Sequence, residues 1–114
     1  MRGTILVYGN ELLLVEIRGL ILGNAGYEVF TAKAFPDAML LLMNYQIDVC
    51  VLCQSLTGEE RRGIMETAHS LQPEIKCAVI DFEESEVTIN GVDLIRGLVE
   101  PSTLLKTIGK LVTA

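Results

Sequence analysis

Apolar and polar positions along this chain follow two rhythms in turn. Residues 4–8 (T-I-L-V-Y), 27–32, 47–56, 77–81 and 92–96 contain short runs rich in Val, Ile and Leu, most of them closed by Gly, Asn, Ser or Thr. That texture predicts strands. Between them, residues 11–24, 36–45, 58–71 and 102–112 carry apolar side chains at helical spacing. The central stretch, I-D-V-C-V-L-C-Q-S-L at 47–56, holds four consecutive apolar residues before Cys53. A run of that length predicts a strand covered on both faces, as in a parallel sheet. Strands alternating with helices across short connections predict right-handed crossovers and helices on both sides of the sheet.

Local punctuation supports these boundaries. Gly26 stands where a left-handed residue ends the first helix, and Pro36 with Asp37 opens the second. Glu59 and Glu60 open the third, and Gln72-Pro73-Glu74 closes it. Residues 82–90 are polar and short, with room for two helical turns at most. In the first helix, Leu13, Ile17, Leu20 and Ile21 form a stripe predicted to face the sheet. Leu12, Val15, Gly19 and Leu22 then fall on the opposite side, where charge is expected and absent. We read that second stripe as a docking or self-association surface, with Leu40 and Met43 of the second helix adding exposed apolar character.

The bulk properties narrow the function. With 114 residues, the chain is expected to be one domain spanning 1–114 that buries roughly two-thirds of its unfolded surface. It is 50% hydrophobic and 21% charged, with a mean hydropathy of +0.42, an ordered profile. A net charge of −6 and a pI near 4.7 argue against nucleic acid and anionic membrane as partners. No apolar run reaches spanning length and no signal peptide is evident, so a cytoplasmic location is expected.

Three cysteines are an odd number for a disulfide scaffold. Cys50 and Cys53 make a C-x-x-C, but on a strand they should point to opposite faces, which weakens a redox or zinc reading. Cys50 and Cys77 read as core, His69 as a solvated side chain, and Lys106 with Lys110 as a solvated helix face. Cys53, at the carboxyl end of the central strand, reads as a small buried hydrophobe. A thiol sensor is the alternative, although no cation is expected beside it.

Five stretches taken together carry a family resemblance: I-L-V-Y-G-N-E at 5–11, A-G-Y-E-V at 25–29, T-A-K-A-F-P-D-A at 31–38, D-V-C-V-L-C at 48–53 and L-Q-P-E-I at 71–75. The chain resembles the receiver domain of two-component response regulators, over most of its length and without a gap from Thr4 to Asp81. The resemblance implies a flavodoxin-like (βα)5 three-layer sandwich with a five-stranded parallel sheet in the order 2-1-3-4-5. In this chain the fourth helix would be shortened. The resemblance further implies a phosphorylation site at the carboxyl rim of the sheet: two acids binding Mg²⁺, a phosphoacceptor Asp, a Thr or Ser, and a Lys followed by Pro.

This sequence departs at every one of those positions. The acidic pair falls on Gly9 and Asn10, with Glu11 behind them, and the phosphoacceptor falls on Cys53. The Thr or Ser position falls on Asp81, and the Lys falls near Gly97, followed by Leu98. A carboxylate at Asp81 about 4 Å from a phosphoryl oxygen would repel it by roughly 4 kcal/mol at an effective dielectric of 20. No Mg²⁺ set is available to offset that, since hard cations need several oxygen ligands. Leu94 or Ile95 stands where the family keeps an aromatic switch residue.

The expectation is a receiver-like domain that is not an enzyme, takes no phosphate, and needs neither metal nor cofactor. It would act on a protein partner, or as a homodimer, in or beside a phosphorelay. The alternative is a thiol or small-ligand sensor at the rim around Cys53, Gly9 and Asp81.

Overall fold

The computed structural model describes residues 3–53, 56–81, 92–96 and 101–113. Among the described residues nine elements follow in order: β1 (Thr4–Tyr8), α1 (Leu12–Asn24), β2 (Glu28–Ala32), α2 (Phe35–Asn44), β3 (Val49–Leu52), α3 (Gly58–Leu71), β4 (Lys76–Asp81), β5 (Val92–Arg96) and α4 (Pro101–Thr113). The strands form one sheet in the order β2-β1-β3-β4-β5, each neighbour parallel to the next. The shortened helix expected at 82–90 lies outside the described residues.

The period of two along the strands sorts the core into two layers. Leu6, Tyr8, Cys50, Leu52, Cys77 and Val79 point to the side covered by α2 and α3, where they meet Ala38, Leu42, Ile64 and Ala68. Ile5, Val7, Val49, Val51, Cys53, Ala78 and Ile80 point to the other side and meet Val15, Leu22, Leu104, Ile108 and Leu111 of α1 and α4. Every residue of β3 is buried, as an apolar run in the middle of a parallel sheet requires. Cys50 and Cys53 therefore face opposite layers and do not form a dithiol pair.

Helix ends are set by local chemistry. Gly26 has φ of +100°, and the Gly26 and Tyr27 amides donate back to the Gly23 and Leu22 carbonyls at 3.1 and 3.3 Å. This is a glycine-terminated Schellman end, with buried Tyr27 packed in the same layer as Leu22. At α3, the Thr57 hydroxyl accepts from the Glu60 amide at 3.1 Å and Glu60 Oε1 accepts from the Thr57 amide at 3.0 Å, a complete capping box. At the amino-terminal edge of the sheet, Gln72 donates to the carbonyls of Leu42 and Tyr45 and accepts from the Ile47 amide, tying α2, α3 and the approach to β3 together.

The orientation of α1 corrects the sequence reading. Val15 and Leu22, placed on the free surface by their spacing, are fully buried, while Leu13, Ile17 and Leu20 are 68%, 44% and 65% exposed. Leu12 is exposed as expected. The helix carries Leu, Ile or Val on every side, so several stripes satisfy helical spacing and none is unique. Close approach decides between them. A Cβ on Gly19 would stand 3.1 Å from Thr31 Cγ2, so the glycine side is the one that can rest on β2. The inner face of α1 is Val15, Arg18 and Leu22, and it includes the helix's one arginine.

Candidate functional site

The carboxyl rim gathers the strand ends that the sequence singled out. Tyr8 pairs with Leu52, and the Cys53 amide donates to the Tyr8 carbonyl at 2.9 Å, so Gly9 and Cys53 follow adjacent strands at one level. The Gly9 amide donates to the Ala32 carbonyl at 3.2 Å. Both amides are thus engaged within the sheet edge. Asp81 ends β4 opposite Arg96 at the end of β5, which places its backbone at the same rim. The Asp81 side chain and Gly97 lie outside the described residues, as do the side chains of Leu94 and Ile95.

Asn10 is turned toward α3. Its Nδ2 donates to Oε1 and Oε2 of Glu60, each at 3.1 Å. The Glu60 carboxyl is held below its ordinary value, first by the Thr57 backbone amide and then by Asn10. The residue standing where the family keeps a metal-binding acid is therefore an amide donor to a carboxylate. Glu11 is exposed and precedes α1 without a side-chain cap bond.

Cys53 is 0% exposed, against the α1 and α4 layer. Burial pushes its thiol above the ordinary value, and the charge of the neighbouring Arg18 guanidinium pulls back part of that shift. The sequence reading expected no cation near this thiol, and the structure corrects it. Arg18 is 8% exposed, and its Nη1 has no hydrogen-bond partner among the described residues. The geometry of a helix explains the reach. Side chains lean toward the helix N-terminus, and α1 starts at the rim directly after β1, so a long side chain two turns in extends back toward Cys53. The clue in the sequence was a single basic residue inside an otherwise oily helix.

The other thiols are core. Cys50 and Cys77 are register partners on β3 and β4 and face the α2 and α3 layer. Burial raises Cys50 well above its ordinary value and brings Cys77 to about 11. Among the described residues, no three His, Cys, Asp or Glu side chains converge as a metal site would need. No helix among them is long and apolar enough to cross a membrane.

No protein-family model matches the sequence, and no curated protein does. Solved structures do. A response regulator from Thermotoga maritima is 22% identical, covers the whole of both chains and superposes with a TM-score of 0.87. A CheY-like response regulator receiver domain protein from Methanospirillum hungatei JF-1 is 24% identical over 97% of this chain and 94% of its own, with a TM-score of 0.85. A response regulator receiver protein from Sinorhizobium medicae WSM419 is 17% identical over 98% and 95%, with a TM-score of 0.83. At these identities the likeness settles the architecture: this chain has the flavodoxin-like, CheY-like fold of response regulator receiver domains.

Proposed function

We propose that this chain is a receiver-like signal-transduction domain that does not accept a phosphoryl group and works by contact with protein. The observation that carries this reading is Cys53: a fully buried thiol, beside the Arg18 guanidinium, at the end of the central strand. Phosphoryl transfer to a receiver requires a carboxylate nucleophile there, with a metal and a cation to offset the developing charge. A protonated thiol cannot form an acyl phosphate. Asn10, committed to Glu60, and Gly9, which has no side chain, supply no anionic ligand for Mg²⁺. Under this reading the domain is a pseudo-receiver of the cytoplasm, without enzyme activity, metal or cofactor. It presents a fixed surface to a protein partner or to a second copy, and binds neither nucleic acid nor membrane.

The test is the intact mass after incubation with acetyl phosphate and Mg²⁺. No change is expected. An added phosphoryl group that disappears in Cys53→Ser overturns the reading.

Arg18 is the specific observation favouring the second reading, a thiol sensor, because a cation beside a cysteine promotes the thiolate. Burial outweighs it in the resting fold. A sensor would alkylate at Cys53 well ahead of Cys50 and Cys77 at neutral pH.

A further inference from the structure

The first turn of α1 lacks the cap that the first turn of α3 has. Glu11 precedes α1 in an extended conformation, its side chain makes no cap bond, and no acid stands in the first turn. The amides that open a helix meet no carbonyl within it and give that end a partial positive charge. In α3, which leaves the same rim after β3, Thr57 and Glu60 satisfy that need. In α1 no side chain does.

Arg18 brings a second positive group to this end. It lies on the inner face of α1 with Val15 and Leu22 and is more than nine-tenths buried. A helical side chain leans toward the helix N-terminus, and this one reaches the end of β3 beside Cys53. The Cys53 amide is bonded to the Tyr8 carbonyl, so the cysteine is level with the loop 9–11 that leads into α1. Among the described residues, Arg18 Nη1 has no hydrogen-bond partner. Glu11 and Glu16, the acids of its own segment, are exposed, and Glu60 is bonded to Asn10. A guanidinium taken out of water is costly unless an anion meets it.

We propose that the first turn of α1 and Arg18 together form a binding site for a small monocarboxylate. The guanidinium fork matches the two oxygens of a carboxylate, and helix-opening amides point at an anion held before them. Val51, Cys53 and Ile80 make the floor of this layer apolar, which suits a compact ligand with little polar surface beyond its carboxylate. Asp81 ends β4 at the same rim, and its negative charge favours a singly charged ligand over a doubly charged phosphate. The site lies outside the carboxyl ends of the strands, where open α/β sheets take ligands. This inference goes beyond the interaction-module reading and does not depend on it.

The experiment is NMR of the isotope-labelled full chain titrated with sodium acetate, against sodium chloride at matched ionic strength. Acetate should move the amides of Leu12 and Leu13 and the Arg18 Nε–H along one saturable curve, and chloride should not. Arg18→Met keeps the length of the side chain and should stay folded but lose the curve. Arg18→Lys keeps the charge without the fork and should weaken binding by about tenfold. Wild type without a saturable shift, a curve that survives Arg18→Met, or saturation by inorganic phosphate but not by acetate overturns the proposal. Each of those results leaves the non-phosphorylatable reading standing. A phosphoryl group found on Cys53 in the mass experiment would remove that reading without touching the acetate titration.

Discussion

Asn10 Nδ2 lies 3.1 Å from each carboxylate oxygen of Glu60, joining the loop after β1 to the first turn of α3. In the receiver pattern, the positions of Gly9 and Asn10 hold a cation. Here the Asn10 amide anchors a side chain that already caps a helix. The rim is tied together by hydrogen bonds that need no bound ion, and each of its parts can be tested.

The Glu60 carboxyl lies below its ordinary value of 4.5 in the fold. Its contribution is therefore present in full above the unfolded value and is lost as pH falls through the lowered folded one. Urea midpoints of wild type should decline over that acid range, and Glu60→Gln should decline less steeply. Removing the other half of the box, Thr57→Ala, should cost about 1 kcal/mol at neutral pH.

Arg18 is a buried cation with a nitrogen that no described residue partners. Exchange for an apolar side chain of similar length removes that desolvation cost, so Arg18→Met should raise stability by about 1 kcal/mol in denaturant unfolding. The same change takes away the group that lowers the Cys53 thiol, so alkylation of Cys53 in the folded protein should slow. Arg18→Ala, which also deletes the buried aliphatic stem, should be less stable than Arg18→Met.

Three thiols are buried with raised values, Cys77 at about 11. A raised acid is favoured by the fold below its unfolded value, and that advantage disappears as pH climbs through the folded one. The protein should lose stability from about pH 9 upward, which thermal melts across the alkaline range will measure. Cys77→Ala should flatten part of that decline.

Cys53→Asp alone should not make a phosphorylatable domain. The new carboxylate would pair with Arg18, and no Mg²⁺ ligands would accompany it. The expected result is an unchanged mass with acetyl phosphate. Gly9→Asp, Asn10→Asp and Cys53→Asp together still leave Asp81 to repel the phosphoryl group and no lysine at Gly97, so detectable phosphorylation should require Asp81→Thr and Gly97→Lys as well.

The phase of α1 is open to direct measurement. Leu22→Ala removes a fully buried side chain and should cost about 2–5 kcal/mol. Leu20→Ala, on the exposed face, should shift the monomer's stability by no more than about 0.5 kcal/mol. Equal losses at the two sites would contradict the packing described above.

Much of this molecule was written locally. Strands declared themselves through short runs of β-branched and aliphatic residues, and the helix ends through Gly26, Pro36 and the acids at 59–60. The departures from the receiver pattern at Gly9, Asn10 and Cys53 needed only alignment of the strand ends, because the rim position of each follows from its place in its own strand. The opposite orientation of Cys50 and Cys53 followed from the two-residue repeat alone.

Tertiary structure decided what local pattern leaves degenerate. An oily helix has no preferred face until something excludes the others, and close approach of β2 at Gly19 made that choice. The choice exposed Leu13, Ile17 and Leu20, buried Val15 and Leu22, and carried Arg18 to a thiol 35 positions away in sequence. Neither that pairing nor the bond from Asn10 to Glu60 has a local signature. Each depends on how far a side chain reaches once two distant segments are fixed against one sheet.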